Sequence, residues 1–252
     1  MSLFPDIDTA VADLRRDRLS APLLASATFS AAYLAGQLLA AEADAESALR
    51  VYLSPVEILP ETATQEDKDL LDEEGIRWEE EPGYDLDQDF FAGDRWGYLL
   101  TRQRPIIAVH SLQFVYPAPF RGIFTVPADW IRLDKKYGHI RLVPGSQSFN
   151  APLSIGVMQI LGGGRGIPQM LQLRYTAGLQ NAAAKYPDLI DLVQRMAALR
   201  LLQGLFPAAS GSISADGLSE STSMDLSKYQ DDIDSHLERL RQRLQGPQLI
   251  VC

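Results

Sequence analysis

Residues 170–205 read MLQLRYTAGLQNAAAKYPDLIDLVQRMAALRLLQGL. Met170 to Tyr175 has the apolar and aromatic content of a strand, and it ends at Thr176-Ala177-Gly178. Pro187 then takes a first helical position, with Asp188 and Asp191 in the opening turn, where negative charge suits the helix dipole. The run Leu189, Ile190, Leu192, Val193, Met196, Leu199, Leu201, Leu202 and Leu205 is apolar on nearly every face. That pattern predicts a central, buried helix, stopped by Pro207.

Upstream of this stretch the chain is β-rich. Tyr98-Leu99-Leu100, Ile106 to Val109, Leu112 to Tyr116, Ile123 to Val126 and His139 to Val143 follow one another, punctuated by Pro and Gly. The pattern predicts an antiparallel sheet of hairpins. Val51 to Ile58 and Ile76 to Glu80 read as further strands, with a short helix opened by Thr64-Gln65-Glu66-Asp67 and closed by Gly75 between them. Nearer the N-terminus, Asp6 to Leu19 and Ser30 to Arg50 read as helices. The first carries Ile7, Val11 and Leu14 at helical spacing, with Arg15, Arg16 and Arg18 at its C-terminal end. Downstream, a last helix over Asp225 to Gln245 carries Leu226, Tyr229, Ile233, Leu237, Leu240 and Leu244 in a 3,4,4,3,4 spacing, a narrow seam for packing on another helix. The expected class is α+β: a small helical bundle from residues 1–50 and 179–245, a large antiparallel β insertion over 51–178, long loops, and an extended tail over 246–252.

The chain has 252 residues, 46% of them apolar, enough for a sizeable core. The single cysteine, Cys252, excludes a disulfide framework, thiolate zinc sites and iron–sulfur clusters, and three scattered histidines make a multi-His metal centre improbable. No run is long and apolar enough to span a bilayer, and the first residues lack the pattern of a secretory signal, so cytosolic synthesis is expected. Net charge is −10, with 18 acids and 3 bases between Glu42 and Asp94. Proteins that grip nucleic acid by its phosphates carry a basic face. The acidic block reads instead as a solvated surface; its functional alternatives are docking of a basic partner or repulsion of DNA.

Candidate chemistry is sparse. Gly162-Gly163-Gly164-Arg165-Gly166 lacks the Lys-Ser/Thr ending of a phosphate loop, and Pro168 and a strand follow it in place of a helix. Asp85-Leu86-Asp87-Gln88-Asp89 imitates the start of a calcium loop, but Phe90 stands where Gly is needed and Trp96 where Glu is needed. His110 and His139 could meet, yet neither has a triad partner nearby in sequence, and both read as surface or packing residues. Phe114, Tyr116, Phe120, Phe124 and Trp130 read as sheet core in preference to a base-stacking platform. No catalytic, cofactor-binding or metal-binding residue is assigned. What stands out are three segments suited to completion by other chains: Ser146 to Gln169; Ala208 to Met224, built around Asp216-Gly217-Leu218-Ser219; and Gly246 to Cys252, with the apolar run Leu249-Ile250-Val251-Cys252. The second of these is expected to order only on assembly.

The C-terminal half resembles the head-to-tail connector (adaptor, or neck) proteins of tailed bacteriophages. The resemblance rests on Leu171-Gln172-Leu173-Arg174-Tyr175-Thr176-Ala177-Gly178-Leu179, on Pro187-Asp188-Leu189, on Ser214-Ala215-Asp216-Gly217-Leu218-Ser219-Glu220-Ser221, and on the closing helix and tail. Upstream, Pro105-Ile106-Ile107-Ala108-Val109, Val126-Pro127-Ala128-Asp129-Trp130 and Gly138-His139-Ile140-Arg141-Leu142-Val143-Pro144 fit the same type. It implies a structural virion protein without enzymatic activity, a homo-oligomeric ring commonly of twelve subunits. Such a ring binds the portal protein through C-terminal segments, meets a downstream neck or tail-terminator protein, and extends a DNA channel without reading sequence. Location in the virion neck follows, after assembly in the host cytoplasm and without a membrane partner. The Gly162–Arg165 and Asp216–Ser219 loops become assembly loops, and Leu249 to Cys252 a portal-binding tail. The alternatives are another neck or tail-completion ring, a metal-dependent hydrolase using the Asp85–Asp94 carboxylates, and a monomeric intracellular binding module.

Overall fold

The computed structural model describes residues 2–18, 29–87, 89–91, 97–117, 120–143, 166–205 and 226–245. Its helices are α1 (Ile7–Asp17), α2 (Ala31–Leu49), α3 (Gln65–Glu73), α4 (Ala182–Lys185), α5 (Pro187–Leu205) and α6 (Leu226–Gln245). The strands are β1 (Val56–Pro60), β2 (Trp78–Glu81), β3 (Tyr84–Leu86), β4 (Leu99–Leu100), β5 (Ile106–Pro117), β6 (Phe120–Thr125), β7 (Ile131–Asp134), β8 (His139–Leu142) and β9 (Ile167–Ala177). The class is α+β with a β insertion. The contacts divide the chain into a β-rich unit, residues 51–180, and a helical unit built from residues 2–50 and 181–252.

In the helical unit the starts of α1 and α2 follow from their caps. The Asp6 side chain accepts from the Asp8 N–H, and the Ser30 hydroxyl accepts from the Tyr33 N–H. α2 packs on α1, α5 and α6, and α5 also carries α6 and the short α4. Leu34, Leu38, Ala41, Ala45 and Leu49 of α2 and Leu189, Leu192, Val193, Ala197 and Leu201 of α5 are buried. The Glu42 carboxylate is buried among them, where it accepts from the Leu3 N–H at 2.6 Å and the Ser2 hydroxyl at 2.5 Å. A buried carboxylate needs such donors, and these fix the start of the chain to α2. Asp191 pairs with Arg18 and, at 2.8 Å, with Arg195, which also pairs with Asp232 at 2.6 Å. Arg243 reaches Asp188 at 2.8 Å.

In the β-rich unit the larger sheet has the order β2-β1-β9-β5-β6, with β3 also paired to β9. The smaller sheet is β4-β8-β7. Both feed one core that includes Val56, Ile58, Tyr84, Leu112, Phe114, Trp130, Ile140, Leu142, Leu171, Leu173 and Tyr175. Phe124 packs against it partly buried.

Four features differ from the expectations. First, β1 and β2 pair in parallel, Glu57 opposite Trp78, so the sheet is mixed; α3 is the crossover that a parallel pair requires. Second, the central strand is β9, a partner to β5 from far along the chain, so hairpins account only for β5–β6 and β7–β8. Third, Ile106 to Pro117 is one strand, carried through His110-Ser111 by a register shift between Val109 and Ser111. Fourth, β9 begins at Ile167, which takes Ile167 to Gln169 out of the expected long loop. The turn after β9 depends on Gly178, at φ +108°, whose N–H donates to the Pro105 carbonyl at 2.9 Å.

Candidate functional site

The polar groups of the larger sheet gather in two places, one on each side of β9. On one face Glu57 of β1 stands opposite Thr176 of β9, and Ser111 and Gln113 of β5 stand opposite Arg174 and Gln172. Alternation puts Gln172, Arg174 and Thr176 on that face while Leu171, Leu173 and Tyr175 enter the core. The shift between Val109 and Ser111 leaves His110 as an extra residue in β5, and a bulge of this kind re-aims a side chain.

Glu57 Oε1 accepts from Arg174 Nε at 2.9 Å, and Glu57 Oε2 accepts from the Thr176 hydroxyl at 2.8 Å. His110 Nε2 lies 2.7 Å from Thr176 Oγ1 and 3.2 Å from Glu57 Oε2. The single hydroxyl proton of Thr176 is committed to Glu57, so His110 Nε2 carries a proton and donates. Burial would raise the Glu57 carboxyl, but hydrogen bonds from His110, Arg174 and Thr176 outweigh it and hold the pKa at about 2. Arg174 Nη1 reaches on to Asp67 Oδ1 at 3.3 Å. Asp67 belongs to the capping box of α3, taking the Thr64 hydroxyl at 2.6 Å and the Thr64 N–H at 3.0 Å. These bonds to Thr64, and then Arg174, lower its pKa.

On the core side, Glu81 is buried and accepts from Tyr84 Oη at 2.6 Å and Tyr175 Oη at 3.1 Å. The two hydroxyls in turn accept from the backbone N–H groups of Arg102 at 3.0 Å and Gln103 at 3.2 Å. The Arg102 guanidinium lies over the Tyr84 ring, 4.1 Å from its centroid, and donates to the carbonyls of Pro82 and Gly83. Burial raises the Glu81 pKa against these bonds and the nearby Arg102 charge, and burial also raises Tyr84 and Tyr175. The cluster ties residues 101–103 to β2, β3 and β9, a structural role. Tyr175→Phe leaves the Gln103 N–H and Glu81 Oε2 each without a partner. A loss of about 2 kcal/mol is expected from the urea unfolding midpoint and slope.

Neither cluster was assigned from the sequence. The signal present was polar residues at alternate positions, Gln172, Arg174 and Thr176, inside an otherwise apolar strand. His110 and His139 lie on different sheets, β5 and β8. Among the described residues no group of three His, Cys, Asp or Glu is placed to hold a metal ion. Asp85 Oδ1 accepts from the Gln169 N–H at 2.9 Å, and Asp94 is outside the described residues.

Of the seam on α6, Ile233, Leu240 and Leu244 are buried, and Tyr229 and Leu237 are half-buried. Leu226 starts the helix. Burial raises the pKa of Tyr229 against the neighbouring Arg18 and Arg195 charges. Gly162 to Arg165, Asp216 to Ser219 and Leu249 to Cys252 are outside the described residues. No helix among the described residues is long and apolar enough to cross a membrane.

No family model matches the chain, and no curated protein does. Chains in solved structures are similar to this one, two of them in gene transfer agent particles. One is the neck of an empty GTA particle computed with C6 symmetry, at 15% identity and a TM-score of 0.43, covering 97% of this chain and 94% of that one. The other is the virion of a native gene transfer agent (GTA) particle, at 16% identity and a TM-score of 0.45, covering 100% of this chain and 97% of that one.

Proposed function

We propose that the chain is a structural subunit of a head-to-tail neck, an adaptor that forms a ring between the portal and the next neck or tail protein. The observation that carries this reading is the build of the joint at residues 171–179. The stretch that resembles the connector family is the central strand β9 and the Gly178 turn. It is followed by the helix that Pro187 opens, in a helical unit made from both ends of the chain. The resemblance implies a small helical bundle, and in this chain a large β-rich unit interrupts the helical one.

In this proposal the ring has twelve subunits, and DNA passes through it without sequence-specific contacts. Leu249 to Cys252 bind the portal by adding a strand to an exposed sheet edge. The loops at Gly162–Arg165 and Asp216–Ser219 meet neighbouring subunits, and the seam on α6 holds the helical unit together. The role is structural, in the virion neck.

The test is electron microscopy of the full chain mixed with a portal protein from the same particle. Twelve-fold rings seated on the portal are the expected result, and solitary subunits in the presence of portal overturn it. Removal of Gln248 to Cys252 is expected to leave folding unchanged by circular dichroism while abolishing attachment. Unchanged attachment would remove the tail from the proposal.

A further inference from the structure

The β-rich unit carries opposite charges on opposite faces. Residues 101–143 hold seven bases and two acids, the reverse of the balance from Glu42 to Asp94. Strand register sorts this basic segment. In the β7–β8 pair, Ile131, Leu133, Ile140 and Leu142 turn to the core, which leaves the cross-strand pairs Arg132–Arg141 and Asp134–His139 on the outer face. Arg132 is half-buried to exposed along its strand and donates to the Asp129 carbonyl at 2.6 Å; neither it nor the exposed Arg141 pairs with a carboxylate among the described residues. Like charges directly opposite each other are unfavourable, so an anionic group laid over this pair relieves a cost. Lys135 and Lys136, both exposed, extend the positive charge into the turn and outnumber Asp134.

α3 lies on the other side. Its Asp67 is held by Arg174, which projects from the polar face of β9, while the smaller sheet packs its inner residues against the core face with Leu171, Leu173 and Tyr175. The larger sheet therefore stands between the two. α3 and the residue that caps it turn Glu66, Asp69, Asp72, Glu73 and Glu74 outward, all of them exposed.

Each face also has an apolar centre. Leu70 is 52% exposed and is flanked at helical spacing by Glu66, Glu73 and Glu74. Leu100 of β4 is 44% exposed, stands opposite His139, and has Arg141 as its diagonal neighbour. The rings of Tyr98 and Tyr137 lie against His139, with centroids at 5.3 and 6.0 Å. An apolar anchor ringed by charge is the pattern of a protein interface, in which the centre is desolvated and the rim selects the partner. The phosphates of a nucleic acid would meet the arginines but would leave Leu100 in water.

We infer that these two faces bind each other between copies of this chain. The outer face of β4-β8-β7 on one copy receives α3 of the next, with Leu100 beside Leu70 and the arginines among Glu66, Glu73 and Glu74. Because two different surfaces meet, each bound copy still offers one unused face, and the contact repeats head to tail into a ring or a filament. The inference deepens the ring reading and rests on it only for closure. The contact itself is tested in isolated subunits, so its failure leaves portal attachment to its own experiment.

The test is sedimentation of the full chain at up to millimolar concentration. The parent is expected to self-associate, and to do so at least about tenfold more weakly when salt rises from about 0.1 M to about 1 M. Arg132→Glu with Arg141→Glu reverses the charge around Leu100, and Glu66→Lys with Glu73→Lys and Glu74→Lys reverses it around Leu70. Each variant alone is expected to self-associate at least about tenfold more weakly, with its circular dichroism unchanged. Mixed one to one, the two are expected to co-assemble, because each offers the charge that the other has lost. Leu70→Gln with Leu100→Gln keeps every charge and is expected to weaken self-association at least about fivefold. A monomeric parent, undiminished assembly of either charge variant, or a mixture that stays monomeric overturns the inference. So does a parent that binds duplex DNA through Arg132 and Arg141 more tightly than it binds itself.

Discussion

Gly178→Ala is expected to destabilise the protein by about 3 kcal/mol or more, combining a strained backbone with an overpacked site. Gly178 has φ +108°, a conformation that side-chain-bearing residues rarely adopt. A Cβ there would fall inside contact distance of the Ser54 carbonyl oxygen and 3.1 Å from Tyr52 Cβ. Neither neighbour can yield easily. The Tyr52 carbonyl accepts from the Leu179 N–H at 3.0 Å, and the Gly178 N–H is bound to Pro105 at 2.9 Å. The control is Gly36→Ala in the exposed part of α2, where a new Cβ meets nothing within 4 Å. That change is expected to stabilise by about 0.5–1 kcal/mol through helix propensity. Urea unfolding of both variants, read by circular dichroism, checks the pair; equal midpoints would show that the Gly178 turn is not a constraint.

The second large effect is the acid sensitivity of Glu57. Its folded pKa is about 2, depressed from an ordinary value of 4.5 by the donors of His110, Arg174 and Thr176 acting against burial. A depressed carboxylate stabilises the fold above its unfolded pKa, and that contribution is lost as pH falls through the folded value. After allowance for solvent screening of the pairs, about 2 kcal/mol should disappear between pH 5 and pH 2. Glu57→Gln puts an NH₂ group against donors where a carboxylate oxygen now accepts. Its stability is expected to lie about 2 kcal/mol below the parent at pH 7 and to converge with it near pH 2. Unfolding free energies at intervals across that range give the result, and a constant gap would contradict it. Glu81 acts in the opposite sense. Its raised pKa means that its contribution is present below the usual glutamate value and lost as pH rises through the folded value.

Elements with local signals were legible in the sequence. The helix starts at Asp6, Ser30 and Thr64 were marked by side chains that cap them, and the buried character of α5 by its apolar run. The parallel β1–β2 pair was not legible, because nothing local distinguishes it from two antiparallel strands. β3 and β7 are three and four residues long, too short for alternation to register. The Glu57 site was hidden for a different reason. Glu57 is one of 18 acids in a block that reads as surface, and only its pairing with Thr176 shows that it is held between strands. His110 was unreadable in the same way, since a register shift leaves no mark in composition.

The helical unit takes α1 and α2 from before the β-rich unit and α4, α5 and α6 from after it. On the ribosome, therefore, the two leading helices emerge long before the partners that cover Leu34, Leu38 and Leu49, while residues 51–180 already hold every strand they need. Completion of the helical unit waits until α5 and α6 have been translated, so its core closes only after the β-rich unit has been made.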